Sequence, residues 1–317
     1  MRIDKALWLK AKKMYMDYQD NGKPLSRLTL MKALGVSENT ARILKAVLEN
    51  EHIFKDDFPQ EVKDTDPLHL YDKEYTIDFG GERKIRFAAI ADTHIGSKAF
   101  KHKELVEFYK RADKFGAEFV LHAGDIIDGI GVYKGQEFEV VTPSIDEQLD
   151  ILVEYYPNLK RGTTKFILGN HDYIAWKRMG IDVGKQIKRA RKDLEYLGMV
   201  KANILIDGIR VQLWHGRGRG AYTLSYKPQK AIEQFVPGRK PRILLIGHWH
   251  QTFWMPAYRN VDAFQVGCFQ GETLLTKEMG VQPIVGGWLI EITHKKGEVK
   301  VTSGRFVYFY ETGNWLQ

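Results

Sequence analysis

Residues 84–94 read Lys-Ile-Arg-Phe-Ala-Ala-Ile-Ala-Asp-Thr-His, an apolar run that stops at a carboxylate and an imidazole. Ile85 to Ala91 has the length and continuity of a strand buried on both faces. The same device returns downstream. Phe119 to His122 leads to Gly124-Asp125, and Phe166 to Leu168 leads to Gly169-Asn170-His171-Asp172. Leu213 leads to Trp214-His215-Gly216, and Ile243 to Ile246 leads to Gly247-His248-Trp249-His250. Between the early runs, Glu104 to Phe115 and Ile145 to Leu159 have helical spacing. Buried strands alternating with helices predict βαβ units, a largely parallel sheet and an α/β fold class. In such sheets ligands gather beyond the carboxyl ends of the strands, where these polar segments stand.

The second half is richer in strands. Ile204-Leu205-Ile206 and Ile209-Arg210-Val211 flank Asp207-Gly208, a hairpin signal, and several strands are expected between Ala263 and Tyr310. Two packed sheets with helices outside are the economical architecture. Residues 61–82 read as an acidic linker, with Asp64 and Asp66-Pro67, and an edge strand at Tyr75 to Phe79. No internal repeat or low-complexity tract is visible.

The chain has 317 residues, 44% of them hydrophobic and 12% aromatic, which suits a packed catalytic domain with a smaller appendage. The formal net charge of +8 favours a polyanion as partner, although ordinary variation among basic proteins accounts for it equally well. One cysteine, Cys268, excludes an intramolecular disulfide and an all-thiolate zinc site. No apolar stretch approaches the roughly 18 to 20 residues of a membrane span, and the charged N-terminus lacks a secretory core. A soluble, cytoplasmic protein without a membrane partner is the expectation.

Residues 1–60 have a helical rhythm. Ala6, Leu7, Leu9, Ala11, Met14 and Tyr15 mark one amphipathic helix ending before Asn21-Gly22. Leu28 to Leu34, a break at Gly35-Val36, and a helix capped by Ser37 follow. With Leu30, Leu34, Val36, Ala41 and Leu44 at inner positions and Gly35 at the turn, the segment resembles a helix-turn-helix module. Met31 departs from that family, which has a small residue there. The resemblance implies a DNA-binding domain in which Asn39, Arg42 and Lys45 face base edges or phosphates. A small bundle for protein contacts or dimerisation is the competing reading.

Asp92, His94, Asp125, Asn170, His215, His248 and His250 supply carboxylates, imidazoles and one amide, the donors suited to a divalent metal pair. In this order and spacing the segments from about Lys84 to about Phe269 are identified as those of a calcineurin-like metallophosphoesterase. The resemblance implies a four-layer α/β/β/α sandwich over residues 83–317. It implies that Asp92, His94 and His250 hold one metal, that Asn170, His215 and His248 hold the other, and that Asp125 bridges both. It also implies a hydroxide between the cations as nucleophile, His171 as the imidazole assisting the leaving group, and Asp172 orienting His171. Mixed nitrogen and oxygen donors suit manganese, iron, zinc or nickel better than magnesium, with manganese expected for activity.

Asp128 reads equally well as a partner to a ligand histidine or as a solvated loop carboxylate. His122 is expected to be packed, and His102 and His294 to lie at the surface. Gly216-Arg217-Gly218-Arg219-Gly220 follows His215, and Arg217 and Arg219 suit bidentate phosphate contacts. The basic run Lys185 to Lys192 is read first as a solvated helix face. Tyr173, Trp176, Trp249 and Trp254 are the aromatics able to stack on bases, although packing is the commoner fate. Together these features point to a dinuclear-metal-dependent phosphodiesterase, foremost a DNA nuclease. The alternatives are a small-molecule nucleotide phosphodiesterase or phosphomonoesterase, and a DNA-binding regulator with a vestigial metal fold. DNA is the expected partner, with a homodimer left open.

Overall fold

The protein is described from a computed structural model covering residues 5–21, 25–49, 74–80, 83–236, 238–295 and 297–309. It falls into two compact units, Met1–Thr65 and Asp66–Gln317. The acidic linker at Asp64 and Asp66-Pro67 lies outside the described residues.

In the first unit, α1 (Lys5–Asp20), α2 (Arg27–Leu34) and α3 (Glu38–Glu49) surround a small core of Ala11, Leu25, Leu30, Ala41, Leu44 and Leu48. The Oγ of Ser26 accepts from the Thr29 N–H and caps α2, which ends at Gly35 in the left-handed region. Ser37 Oγ accepts from the Thr40 N–H at 3.3 Å and caps α3. Lys45 is partly buried; the side chains of Asn39 and Arg42 lie outside the description.

The second unit holds two six-stranded sheets. The first is built on β2 (Lys84–Ile90), β3 (Val120–His122), β4 (Thr164–Leu168) and β5 (Leu194–Met199), paired in parallel in that order. β11 (Gly286–Lys295) joins β2 antiparallel, and β12 (Glu298–Tyr308) closes that side. The second sheet runs β1 (Glu74–Ile77), β6 (Lys201–Ile206), β7 (Ile209–His215), β8 (Ile243–Gly247), β10 (Val261–Val266) and β9 (Thr252–Tyr258). The expected edge strand at Tyr75 is β1, parallel to β6. Asp207 and Gly208 both have positive φ, 46° and 82°, as a two-residue turn matching the strand twist requires.

Alternate side chains explain the layering. Ile85, Phe87 and Ala89 of β2 face the space between the sheets, with Ile204, Val211, Ile243 and Leu245 from the other sheet. Ala88 and Ile90 face the opposite way, into a core under α4 (His102–Phe115), α5 (Ile145–Tyr155), α6 (Asn170–Met179) and α7 (Val183–Ala190). On the far side, Leu244 and Ile246 of β8 meet Ile232 of α8 (Tyr226–Glu233). The result is the expected α/β/β/α sandwich. α5 ends at Tyr155 instead of Leu159, because Tyr156 precedes Pro157 and is driven to an extended backbone, φ −68° and ψ 124°. A short helix, α9 (Leu274–Glu278), follows β10 and has no counterpart in the sequence reading.

Candidate metal centre

Five strands deliver the site. Asp92 and His94 follow β2, Asp125 follows β3, Asn170 follows β4, His215 ends β7, and His248 and His250 follow β8. Both sheets therefore contribute from their carboxyl-terminal edges. Asp92, His94, Asp125, His248 and His250 have φ of 52, 47, 54, 92 and 53°, in the left-handed region. A non-glycine residue there costs about 1–2 kcal/mol, though Asp and His bear it better than most. Such strain concentrated at one place marks a functional constraint.

Backbone bonds lock the segments together. Asp92 N–H donates to Gly124 O at 2.9 Å, His94 N–H to Asp125 O at 3.1 Å, and His248 N–H to Asp92 Oδ2 at 2.8 Å. Gly124 has φ +97°, and a Cβ there would lie 2.5 Å from His215 Nδ1, so only glycine lets β3 and His215 approach.

Two donor groups that share no residue result, beside a third made of His94, Asp128 and His171. Asp92, His94 and His250 converge, with His250 Nε2 3.4 Å and His94 Nε2 3.8 Å from Asp92 Oδ1, and the two Nε2 atoms 3.1 Å apart. Asp125, His215 and His248 form the second group, and Asn170 Oδ1 lies 3.0 Å from His215 Nε2. Asp125 Oδ2 stands 3.1 Å from His215 Nε2 and 3.8 Å from His94 Nε2, between the groups. His215 Nδ1 faces the Ala123 carbonyl at 2.8 Å, and His248 Nε2 faces that of Gly218 at 2.9 Å. These two imidazoles are thus fixed through one nitrogen, which leaves the other able to act as a donor.

The electrostatics favour cations. Burial opposes charge on His94, but bonds to Asp128 and Asp92 outweigh it and raise the ring to about 10. Burial is likewise overcome at His215, by Asp125, and at His250, chiefly by Cys268 and Asp92, both rising to about 9. Burial would raise Asp92, yet His250 and His94 hold its carboxyl well below the ordinary range. His248 falls to about 4, through burial and the neighbouring His215. A pocket that stabilises positive charge on three rings, with mixed carboxylate, imidazole and amide donors, fits divalent cations.

A cavity of about 880 Å³ opens over the centre, lined by His94, Asp125, Asn170, His171, His248 and His250 among others. Arg219 also lines it; Arg217 is exposed just outside, and neither arginine has an ion pair among the described residues. A larger cavity of about 1080 Å³ contains none of the donor groups.

His171 stands at the start of α6, with Nδ1 2.7 Å from the Asp128 carbonyl oxygen and 3.5 Å from Asp128 Oδ1. The expectation that Asp172 orients His171 is corrected here. Asp172 accepts from the backbone N–H groups of Gly169, Ile126 and Ile127 instead, capping α6 and fixing the Asp125 loop. Asp128 is the carboxylate that touches both His94, at 2.9 Å, and His171, and Gln136 and Gln270 donate to it. It is fully buried, which settles its ambiguity in favour of a partner to histidine. Asp172 was legible as a cap: it stands at the third position of a helix ending in Lys177-Arg178-Met179 and closed by Gly180. Gln136 and Gln270 carried no local signal.

His122 is buried as expected: its Nδ1 accepts from the Gly124 N–H and its Nε2 lies 3.1 Å from Thr93 Oγ1. His294 is a correction; it is buried, with Nε2 3.4 Å from Asp207 Oδ2, because Gly297 after β11 packs against Gly208 of the β6–β7 turn. His102 is partly exposed, with Nε2 3.0 Å from the Tyr155 carbonyl. Trp254 stacks on Phe264 at 5.3 Å between the sheets and is not available to a base. On α7, Lys185, Lys188 and Arg189 face solvent while Ile187 is buried, so the basic run is a solvated helix face.

The model of the calcineurin-like phosphoesterase family matches residues 85–264, from β2 into β10. The chain belongs to this family. It is similar to the DNA polymerase II small subunits of Archaeoglobus fulgidus, 28% identical over 269 residues (70% of this chain, 54% of the relative), and Methanothermobacter thermautotrophicus, 26% over 252 residues (65% and 52%). The chain thus spans about half the length of these relatives. Among solved structures it is similar to a phosphatase from Mycoplasma pneumoniae, with 14% identity, a TM-score of 0.40, and coverage of 72% of this chain and 94% of that one. The family and the clustered His and Asp side chains support divalent metal binding. No helix among the described residues is long and apolar enough to cross a membrane.

Proposed function

We propose that this calcineurin-like phosphoesterase is a phosphodiesterase dependent on two divalent cations, and that its substrate is DNA. The observation that carries the reading is the meeting of two three-residue donor groups, Asp92, His94 and His250 with Asp125, His215 and His248, beneath a cavity that His171 also lines. Asp92, His94 and His250 would hold one cation, and Asn170, His215 and His248 the other, with Asp125 reaching both. Manganese suits this donor set, with iron, zinc and nickel as the other fitting ions. When bound, the cations neutralise phosphate charge and acidify the attacking water.

The chain's own part is positional. His171 donates from Nδ1 to the Asp128 carbonyl, which leaves Nε2 as the ring atom that exchanges a proton with the departing oxygen. Arg219 on the cavity wall, with Arg217 beside it, would grip a phosphate. DNA as the polymer is supported by the net charge of +8 and by relatives named as DNA polymerase subunits. The same name supports an intracellular setting and a further polymerase subunit as partner. The N-terminal three-helix unit would add DNA contacts through Asn39, Arg42 and Lys45.

A panel of labelled DNA, cyclic nucleotides and a chromogenic phosphodiester, run with Mn2+, tests this. DNA should be cleaved, and His171→Ala should lower kcat by about 10²–10⁴ with metal content unchanged. Removing residues 1–60 should weaken DNA cleavage while sparing the chromogenic diester. Intact DNA beside consumed nucleotides would overturn the nuclease reading.

A further inference from the structure

The larger cavity, apart from the metal centre, has a composition of its own. Its walls carry Lys98, Lys101 and Lys277, the side chain of Phe138, which is 72% exposed, and Leu274, which is 52% exposed. Two carboxylates also line it, and both are engaged by the protein. Glu139 accepts from Tyr133 Oη and from the Leu274 N–H, and Glu272 pairs with Lys277 at 3.1 Å. Lys98 Nζ donates to the neutral carbonyl of Phe138, so its charge is not cancelled.

This groove adjoins the catalytic cavity. Thr276, Gly280, Val281 and Gln282, from α9 and the turn behind it, line both spaces and form the ridge between them. Each space alone is near the size that holds a small ligand. Side by side they suit a substrate longer than one nucleotide. A large exposed phenylalanine beside lysines matches the way proteins hold single strands, by stacking an unpaired base while ammonium groups follow the phosphates. Paired bases in a duplex offer no free face to such a ring.

We propose that the groove between Phe138 and Lys277 seats a single-stranded polynucleotide whose next phosphate lies over the metal centre. The proposal rests on the phosphodiesterase reading and narrows its substrate to chains with a single-stranded end. It requires no residue of the donor groups.

The test uses the full chain, fluorescein-labelled oligo-dT and fluorescence anisotropy in EDTA, beside hydrolysis of a chromogenic diester with Mn2+. Phe138→Ala should weaken oligo-dT binding about tenfold, and Phe138→Tyr, which keeps a stacking face, should restore it. In Lys98→Ala the slope of log affinity against log salt should shrink by about 0.7, as expected for one lost phosphate contact on a single strand. Diester hydrolysis should stay within about twofold of the starting protein in every variant, which also shows that the variants fold. Unchanged oligo-dT affinity and salt slope in these variants would overturn the groove and leave the phosphodiesterase reading standing. Failure of the parent protein to hydrolyse any phosphodiester would overturn that reading, while the binding arm still reports on the groove.

Discussion

Asp128 and Asp172 are both buried beside His171, the first 43 positions away in the chain and the second next to it, but they serve different partners. Asp172 is spent on three backbone N–H groups, and Asp128 on two imidazoles. Asp172→Ala is therefore expected to cost about 1–3 kcal/mol in stability, by stranding buried donors, with kcat largely retained below the melting transition. Asp128→Asn should lower kcat about 10- to 100-fold with a small change in Tm. Melting curves and diester kinetics on both variants check this, and the reverse pattern would contradict it. The difference was hidden in the sequence because Asp128 meets residues 34 and 43 positions away. His294 was misread for the same reason: its partner Asp207 comes from another sheet. The clustering of the His, Asp and Asn side chains was legible, since each closes an apolar run with a donor side chain.

His122 gives a pH signature. Burial holds its ring neutral and lowers it to about 3, against about 6.5 in the unfolded chain. Between these values the unfolded state binds the extra proton, so this residue withdraws stability as pH falls from about 6.5 towards 3, at about 1.4 kcal/mol per unit. Above that window it has no effect. Urea midpoints from pH 7 to pH 4 should fall less steeply in His122→Gln than in the parent protein; equal slopes would contradict the assignment.

At the scale of elements, the site depends on strand ends brought closer than ordinary side chains allow. Gly124→Ala would place a methyl against His215 and force a strained φ at the end of β3. It is expected to cost about 1–3 kcal/mol and to lower kcat/KM for the diester at least about 100-fold, measured by thermal melting and steady-state kinetics. Near-normal activity would show that the approach is not required. The parallel strands were visible in the sequence because β2 is apolar on both faces, Phe87 and Ala89 on one and Ala88 and Ile90 on the other. α9 was not visible; its five residues are too few for a helical period to show. β12 likewise alternates exposed and half-buried positions as an edge strand, which weakens its pattern.

For the whole molecule, the stacking of two sheets creates the centre: β2, β3 and β4 supply Asp92, His94, Asp125 and Asn170, while β7 and β8 supply His215, His248 and His250. Neither sheet alone carries both donor groups. The ordered set of motifs disclosed that arrangement through the family it resembles, whereas the strand order and the facing of the sheets depend on contacts that no local pattern records. The claim on which the account depends is that these seven side chains grip two cations. Anomalous difference maps at the manganese edge, from crystals grown with Mn2+, test it directly. Two adjacent peaks enclosed by Asp92, His94, Asp125, Asn170, His215, His248 and His250 are predicted; an absence of peaks there, or manganese bound elsewhere, would contradict it.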